Sequence, residues 1–330
     1  MRHRAIPILT VAKASAVSVL LLTGLAGALE PQREALTDGQ DPHPYRLSVN
    51  VNLVVLNATV RDAKGHFARD LHEADFEIYE GGVRQSISLF RDEDIPVTVG
   101  LVVDHSGSML PKLADVIAAA RTFVQSSSPE DEMFVVNFNE KVTLGLPRWL
   151  PFTNRPEDLA GAIADAPTTG MTALYDAVFE ARKRLQAGTR EKKVLVVISD
   201  GGDNASKHTL AEVLRMAGQS TIIVYAVGIF DETDVDRNPD VLRRLAAATG
   251  GEAFFPEQTS EVVAICERIA RDIRNQYTIG YFSTAAVQPG VYHAIRVVAG
   301  GARRPKLFVR TRAGYIAGGE LLPLKDGALK

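Results

Sequence analysis

The chain has 330 residues, of which 46% are hydrophobic and 23% charged, and its formal net charge is −3. These values are typical of a soluble globular protein of roughly two domains. The slightly acidic balance excludes a generally basic surface for nucleic acid, so no nucleic-acid partner is expected. The single cysteine, Cys266, excludes an intramolecular disulfide and any multi-cysteine metal site.

Residues 1–28 are predicted to be a secretory signal peptide. Basic residues at the start precede an uncharged apolar stretch, and small residues lead to Ala28, after which we expect cleavage. The exported chain is then secreted or periplasmic, with a flexible leader over 29–44 and no integral membrane segment. A retained membrane anchor is the alternative, although the apolar stretch is short for a membrane span.

The next segment, 45–94, is predicted to be all-β. Apolar residues alternate with polar ones from the start of this segment, which indicates a half-buried strand with Leu53 and Val55 on its apolar face. Glycines 81 and 82 indicate a β-hairpin between strands at 75–80 and 83–91. These strands are too few to bury both faces of a sheet alone.

Between residues 95 and 275 the pattern changes to strands that alternate with helices. This alternation predicts an open, doubly wound α/β domain with a mostly parallel sheet and one antiparallel edge strand. The apolar, β-branched run at 96–104 is typical of a central strand covered on both faces. The expected strands are 96–104, 132–138, 142–146, 193–199, 221–228 and 252–256, and the expected helices are 109–126, 156–165, 172–187, 207–218, 239–248 and 260–275.

After residue 275 the chain returns to strands. The segment 276–317 contains three of them, and 318–330 is a tail. We expect the early and late strands to form one β-sandwich-like domain into which the α/β domain is inserted, because neither group looks self-sufficient. Two separate small β-modules are the alternative.

Polar side chains follow two strands that should be neighbours. In a sheet of order 3-2-1-4-5-6, the first and fourth strands flank the point where strand order reverses, and ligands bind there. The first strand ends at Asp104 and Asp200 follows the fourth. Ser106 and Ser108 begin the next helix, and Thr172 is expected to be the N-cap of a helix that starts at the same edge.

These two carboxylates and three hydroxyls form an all-oxygen donor set. Hard cations prefer such ligands, so the sequence predicts a site for Mg²⁺, with Mn²⁺ or Ca²⁺ as alternatives. Because the hydroxyls are neutral, the cation would stay electrophilic, and Mg²⁺ would keep an open position. A carboxylate from another molecule would suit that position.

Three short stretches carry a family resemblance. DHSGS (104–108), GMTALYDA (170–177) and SDG (199–201) resemble, in order and spacing, the metal-ion-dependent adhesion site of von Willebrand factor type A domains. The resemblance covers about 95–275. It implies that the two serines bind metal directly, and that Thr172 and the aspartates bind it directly or through water. The flanking β-segments are similar to a bacterial secreted group related to von Willebrand factor A.

Other interpretations of these residues stay open. Ser106 and Ser108 could merely cap a helix. A serine hydrolase would need a G-x-S-x-G nucleophile elbow, and a phosphate-binding loop would need a glycine-rich motif that is not found here. Asp203 could simply form a turn, because aspartate is a residue type that favours turns. The residues that could contact a ligand near the metal are His105, Met109, Met171 and Asp203.

The favoured function is a metal-dependent binding module that captures an Asp or Glu side chain of a protein partner. The alternative is a metal-assisted hydrolase of phosphate or ester substrates in the same crevice. That enzyme would need a general base, for which only His105, Asp203 or His208 can be suggested. A degenerate module that folds without metal is a third possibility.

Overall fold

The computed structural model describes residues 53–92, 94–230, 236–286, 288–300 and 306–318. The predicted signal peptide, the leader and the start of the first strand lie outside these residues, as does the predicted tail except Gly318. Within the described ranges, no helix combines the length and the apolar character that crossing a membrane requires.

The strands and helices follow one another largely as the sequence predicts. The strands are β1 (Leu53–Arg61), β2 (Phe76–Glu80), β3 (Val83–Gln85), β4 (Ile87–Arg91), β5 (Val97–Asp104), β6 (Glu132–Phe138), β7 (Val142–Leu144), β8 (Lys192–Ser199), β9 (Ile223–Gly228), β10 (Ala253–Phe254), β11 (Gln276–Phe282), β12 (Tyr292–Ala299), β13 (Phe308–Arg310) and β14 (Gly314–Ile316). The helices are α1 (Leu113–Gln125), α2 (Pro156–Ala164), α3 (Leu174–Gln186), α4 (Leu210–Gly218), α5 (Pro239–Thr249) and α6 (Val262–Arg274).

A six-stranded sheet forms the centre of the α/β domain, in the order β10-β9-β8-β5-β6-β7. Counted within this sheet alone, the order is 3-2-1-4-5-6, as predicted, and β7 is the antiparallel edge strand. Every residue of β5 is buried. The cause is a layer of helices on each face, because α1 packs against α2 and α6 whereas α4 packs against α3 and α5.

Two four-stranded antiparallel sheets combine strands from both ends of the chain. Their orders are β13-β1-β11-β4 and β14-β12-β2-β3. β1 pairs with β11 along its length, and Leu56 and Tyr277 from this sheet share a buried cluster with Phe76 and Ile78 from the other. The predicted insertion of the α/β domain between two halves of a β-sandwich is therefore confirmed, and the alternative of two separate β-modules is wrong.

The face of β1 that meets the core differs from the prediction. Leu53 and Val55 are only partly buried, whereas Val54, Leu56 and Ala58 point into the sandwich core. The apolar run 53–56 fits either face, so alternation could not settle which residues turn inward.

Two predicted strands are each divided between the sheets. The expected strand 83–91 becomes β3, which completes the hairpin with β2, and β4, which pairs with β11 in the opposite sheet. The expected strand 306–316 becomes β13 and β14, again in different sheets. At these points the chain passes from one sheet of the sandwich to the other, and the local alternation of residues does not reveal them.

A buried polar cluster around Asp272 joins the α/β domain to the sandwich. Its carboxylate, 1% exposed, accepts hydrogen bonds from Arg61 of β1 at 2.9 Å and from the Tyr225 hydroxyl of β9 at 2.6 Å. Arg310 of β13 donates a further bond to the same carboxylate. Since Asp272 lies near the end of α6, one charged group fixes that helix to both domains.

Candidate metal centre

Two buried carboxylates lie at the carboxyl ends of the neighbouring strands β5 and β8. Asp104 ends β5 with none of its surface exposed, and Asp200, 3% exposed, directly follows β8. The two strands are paired in parallel along their length. The predicted meeting of these residues at the switch point of the sheet is thus present in the structure.

A chain of hydrogen bonds runs between the two carboxylates through the serines. The Ser106 amide donates to Asp104 Oδ1 at 2.8 Å, and the Ser106 and Ser108 hydroxyl oxygens are 3.2 Å apart. Ser108 Oγ then donates to Asp200 Oδ2 at 2.7 Å. Ser106 lies at the N-cap of a 3-10 turn, yet its side chain makes no capping bond there. The hydroxyls therefore face the carboxylates, and capping does not account for them.

The backbone of Thr172 is bound to the loop that follows Asp200. Its amide donates to Asn204 Oδ1 at 2.9 Å, and its carbonyl accepts from the Asn204 amide at 2.9 Å. The expectation that Thr172 is an N-cap is wrong, because α3 begins at Leu174 after the N-cap Ala173. Asp203 caps that helix instead, by accepting from the Tyr175 amide at 2.9 Å.

The electrostatics of the crevice favour a cation. Burial, together with the nearby charge of Asp200, raises the pKa of Asp104 to about 6, against the lowering effect of hydrogen bonds from Ser199 and Ser106. Among the described residues, neither Asp104 nor Asp200 forms an ion pair with a basic side chain. Buried carboxylates without a positive partner are costly, and a divalent ion would remove that cost.

The donor types fit a hard cation. The five predicted ligands offer only carboxylate and hydroxyl oxygen, which suits Mg²⁺, Mn²⁺ or Ca²⁺. No group of three or more His, Cys, Asp or Glu side chains that could hold a metal is found in the part of the chain that the structure describes. The five predicted ligands include only two carboxylates, so they do not form such a group. Their assignment as metal ligands therefore depends on the three hydroxyls.

Two of the four predicted ligand-contact residues are inaccessible. His105 is 1% exposed, and its ring nitrogens lie 3.1 Å from Thr168 Oγ1 and 3.1 Å from Asn137 Oδ1. Burial lowers the pKa of His105, which favours the neutral ring. Met109 is fully buried in the core. The turn after β5 directs these side chains inward, and their contact with a ligand stays an untested prediction.

The other two residues remain at the surface. Met171 is 53% exposed, next to Thr172. Asp203 is partly buried, and its carboxylate also accepts a hydrogen bond from Ser206 Oγ at 2.6 Å. The capping bonds of Asp203 agree with a turn-forming role. Its contact with a ligand stays a prediction.

Two polar residues outside the predicted set position the site. Ser199 Oγ donates to Asp104 Oδ2 at 2.6 Å and accepts from the Gly201 amide at 3.0 Å. Asn204 holds the backbone of Thr172, as described above. The role of Ser199 could have been predicted, because it directly precedes Asp200 at the end of β8. The contact between Asn204 and Thr172 joins two separate loops, and the sequence gives no signal for it.

The remaining candidate bases have structural contacts. Asp176 Oδ1 lies 2.6 Å from His208 Nδ1, and the imidazole ring stacks on Phe179 at 3.9 Å between centroids. Asp176 also accepts from the backbone amides of Lys207 and His208. Asp176 thus fixes the loop before α4. Cys266 is buried, and burial raises its pKa to about 12.

Fold and site together define the class: a doubly wound α/β domain with a cluster of carboxylate and hydroxyl oxygens at its switch point, inserted into a β-sandwich. Residues 99–202, less than half of the chain, match the family model of the von Willebrand factor type A domain. This match confirms the resemblance found in the sequence. A search of curated proteins gave no significant match.

Several solved structures resemble the chain at low identity. A von Willebrand factor type A protein from Catenulispora acidiphila is 13% identical, with 81% of this chain and 75% of that chain covered and a TM-score of 0.48. The von Willebrand factor domain of the type V pili tip protein Mfa5 from Porphyromonas gingivalis is 14% identical, with 55% and 95% covered and a TM-score of 0.42. Proximal thread matrix protein 1 from the mussel byssus, with a zinc-occupied MIDAS motif, is 18% identical, with 60% and 50% covered and a TM-score of 0.45. At these values the likeness says nothing about function.

Proposed function

We propose that the chain is an exported, metal-dependent protein-binding module. Its crevice would hold a divalent cation, with Mg²⁺ as the expected ion, and would capture an acidic side chain of a protein partner. The observation that carries this proposal is the pair of buried carboxylates, Asp104 and Asp200, linked through two serine hydroxyls without a basic counter-charge among the described residues. Export depends on residues 1–28 and is part of the proposal.

The ligands would be Asp104, Ser106, Ser108, Thr172 and Asp200. When bound, the cation supplies an electrophilic position that a carboxylate can occupy. The protein's part is to hold the oxygens in place, since Ser199 and the Ser106 amide fix the Asp104 carboxylate while the Gly202 amide donates to Asp200 at 2.9 Å. A site whose ligands are already oriented loses less entropy when it binds. The sandwich, 45–94 with 276–317, would serve as its scaffold.

Calorimetric titration of residues 29–330 with Mg²⁺ and Mn²⁺ tests the proposal. We expect saturable binding in the native sequence, and loss of binding in Asp104→Ala and Ser106→Ala. Ser127→Ala is the matched control, because its hydroxyl donates to a backbone carbonyl at the end of α1 and lies outside the crevice motifs. Circular dichroism spectra would show that every variant is folded.

The titration should be run in chloride and in acetate, because acetate can supply the missing carboxylate. If neither buffer gives saturable metal binding in the native sequence, the proposal is wrong. Binding that survives in both crevice variants would place the metal elsewhere and would also reject it.

A further inference from the structure

Two large exposed apolar side chains lie close in the sequence to proposed metal ligands. Leu110 is 63% exposed and Met171 is 53% exposed, and both belong to the small group of exposed large hydrophobic residues found among the described residues. Leu110 lies two residues after Ser108, and Met171 directly precedes Thr172. Each apolar side chain therefore comes from a loop that also supplies a proposed metal ligand.

The loops that carry these side chains are tied to each other. The Gly107 amide donates to the Gly170 carbonyl at 3.3 Å, which brings the start of one loop to the other. Gly170 has a φ of +87°, a conformation that favours glycine. The next amide, that of Met171, donates to Glu140 Oε2 at 3.2 Å. The backbone of Met171 is thus held in place while its side chain extends into solvent.

The charges around these side chains restrict what can lie beside a captured carboxylate. Glu140 is exposed and lies against the Met171 amide, and Asp236, on the opposite loop, accepts from Asn204 Nδ2 at 3.2 Å. Both groups repel further negative charge in a partner. Exposed apolar side chains, in contrast, gain free energy when a partner covers them, and the flexible thioether of methionine adapts to different shapes.

We propose that Leu110 and Met171 select a partner segment in which a single Asp or Glu is flanked by large apolar residues. This inference rests on the proposed function, because the acidic residue would be the one that the cation binds. The apolar pair adds the specificity: a run of acidic residues or a polar flank would bind less tightly. The recognised element is therefore an exposed acidic–apolar loop of a protein.

Four synthetic peptides in the presence of Mn²⁺ test this specificity. They are acetylated and amidated forms of Gly-Leu-Glu-Leu-Gly, Gly-Ser-Glu-Ser-Gly, Gly-Glu-Glu-Glu-Gly and Gly-Leu-Gln-Leu-Gly. NMR titration of the protein detects weak binding and reports Mn²⁺ occupancy separately through relaxation enhancement near the site. We expect the first peptide to bind about tenfold more tightly than the second, since each flank buries apolar surface, and the glutamine peptide to be the weakest.

Variants assign the effect to the two side chains. In Leu110→Ser and Met171→Ser, the preference for leucine over serine flanks should fall to about twofold or less, as expected when the apolar contact is removed. Phe308→Ser is the matched control, because Phe308 is 51% exposed on β13 of the sandwich. It should keep the full preference. Mn²⁺ binding should be unchanged in all three variants.

The outcomes separate this inference from the proposed function. If both single-glutamate peptides bind with equal affinity and depend on Mn²⁺, the specificity is refuted and the metal-dependent function stands. If Mn²⁺ fails to bind, or the glutamine peptide binds as tightly as its glutamate counterpart, the proposed function fails, and the inference fails with it.

Discussion

Asp272→Asn should destabilise the protein strongly, because the native carboxylate balances the charges of two arginines where the α/β domain meets the sandwich. Asp272 is 1% exposed and accepts bonds from Arg61, Arg310 and Tyr225. Asparagine keeps the shape but removes the charge that faces two guanidinium groups. Removal of one partner of a buried ion pair costs about 3–5 kcal/mol. The side chains of Arg61 and Arg310 are 23% and 26% exposed, so water would solvate them in part. We therefore expect a loss of about 3 kcal/mol, at the lower end of that range.

Urea unfolding followed by circular dichroism measures this loss. For a domain of this size, about 3 kcal/mol corresponds to a decrease of about 6–12 °C in the melting temperature. Asp240→Asn is the matched control, because Asp240 is 80% exposed and pairs with Arg243 at 2.7 Å on the surface of α5. Such exposed pairs contribute about 0–1 kcal/mol.

A double-mutant cycle with Arg61→Met shows whether the loss arises from the junction. Residues in one buried network have coupling energies of about 0.5–3 kcal/mol, whereas independent sites are additive. We expect at least about 1 kcal/mol between Asp272 and Arg61, which are 2.9 Å apart. A loss no larger than that of the control, or a coupling energy of zero, would show that the buried charge does not hold the domains together.

Three further predictions concern other parts of the chain. Burial lowers the pKa of Lys192 from 10.5 to about 8, so the unfolded chain binds more protons between these values and stability rises with pH across that window. In Lys192→Met this rise, about 2 kcal/mol between pH 7.5 and 9.5, should be absent in urea unfolding, whereas exposed Lys64→Met should retain it. Gly201→Ala should destabilise the fold by more than about 1 kcal/mol, since Gly201 has a φ of +82° and an added Cβ would lie 2.3 Å from the Asn238 carbonyl oxygen; an unchanged melting temperature would contradict this. Trp149, the only tryptophan, is 81% exposed, so its fluorescence should resemble that of tryptophan in water and be quenched fully by acrylamide; a blue-shifted, protected emission would mean that the side chain is covered.

The order of the central sheet could be predicted because each strand carries its own signal. A continuous β-branched run such as 96–104 indicates a strand in a sheet that is covered on both faces. The rules for connections between strands then leave few possible strand orders. The meeting of Asp104 and Asp200 follows from that order alone. The division of 83–91 and 306–316 between two sheets has no comparable signal, because it depends on whether a distant strand, β11, β1 or β12, is available as a partner.

The side-chain detail of the crevice was harder to predict, because it depends on the local backbone after β5. A helix that begins at Met109 would have left that side chain near the crevice, but residues 107–112 form a 3-10 turn that contains Pro111, and α1 begins only at Leu113. In this turn Met109 points into the core and its neighbour Leu110 points into solvent. The conformation of this turn thus decides which of the two neighbouring side chains a partner can contact.

The two carboxylates are placed by the ends of buried strands, whereas the side chains around them are placed by loops. A strand end fixes where Asp104 and Asp200 lie, and burial gives Asp104 an electrostatic cost that hydrogen bonds from Ser199 and Ser106 offset only in part. Packing alone would be served as well by neutral residues of the same shape. Two buried carboxylates joined by hydroxyls therefore support the proposed cation site more than a role in packing.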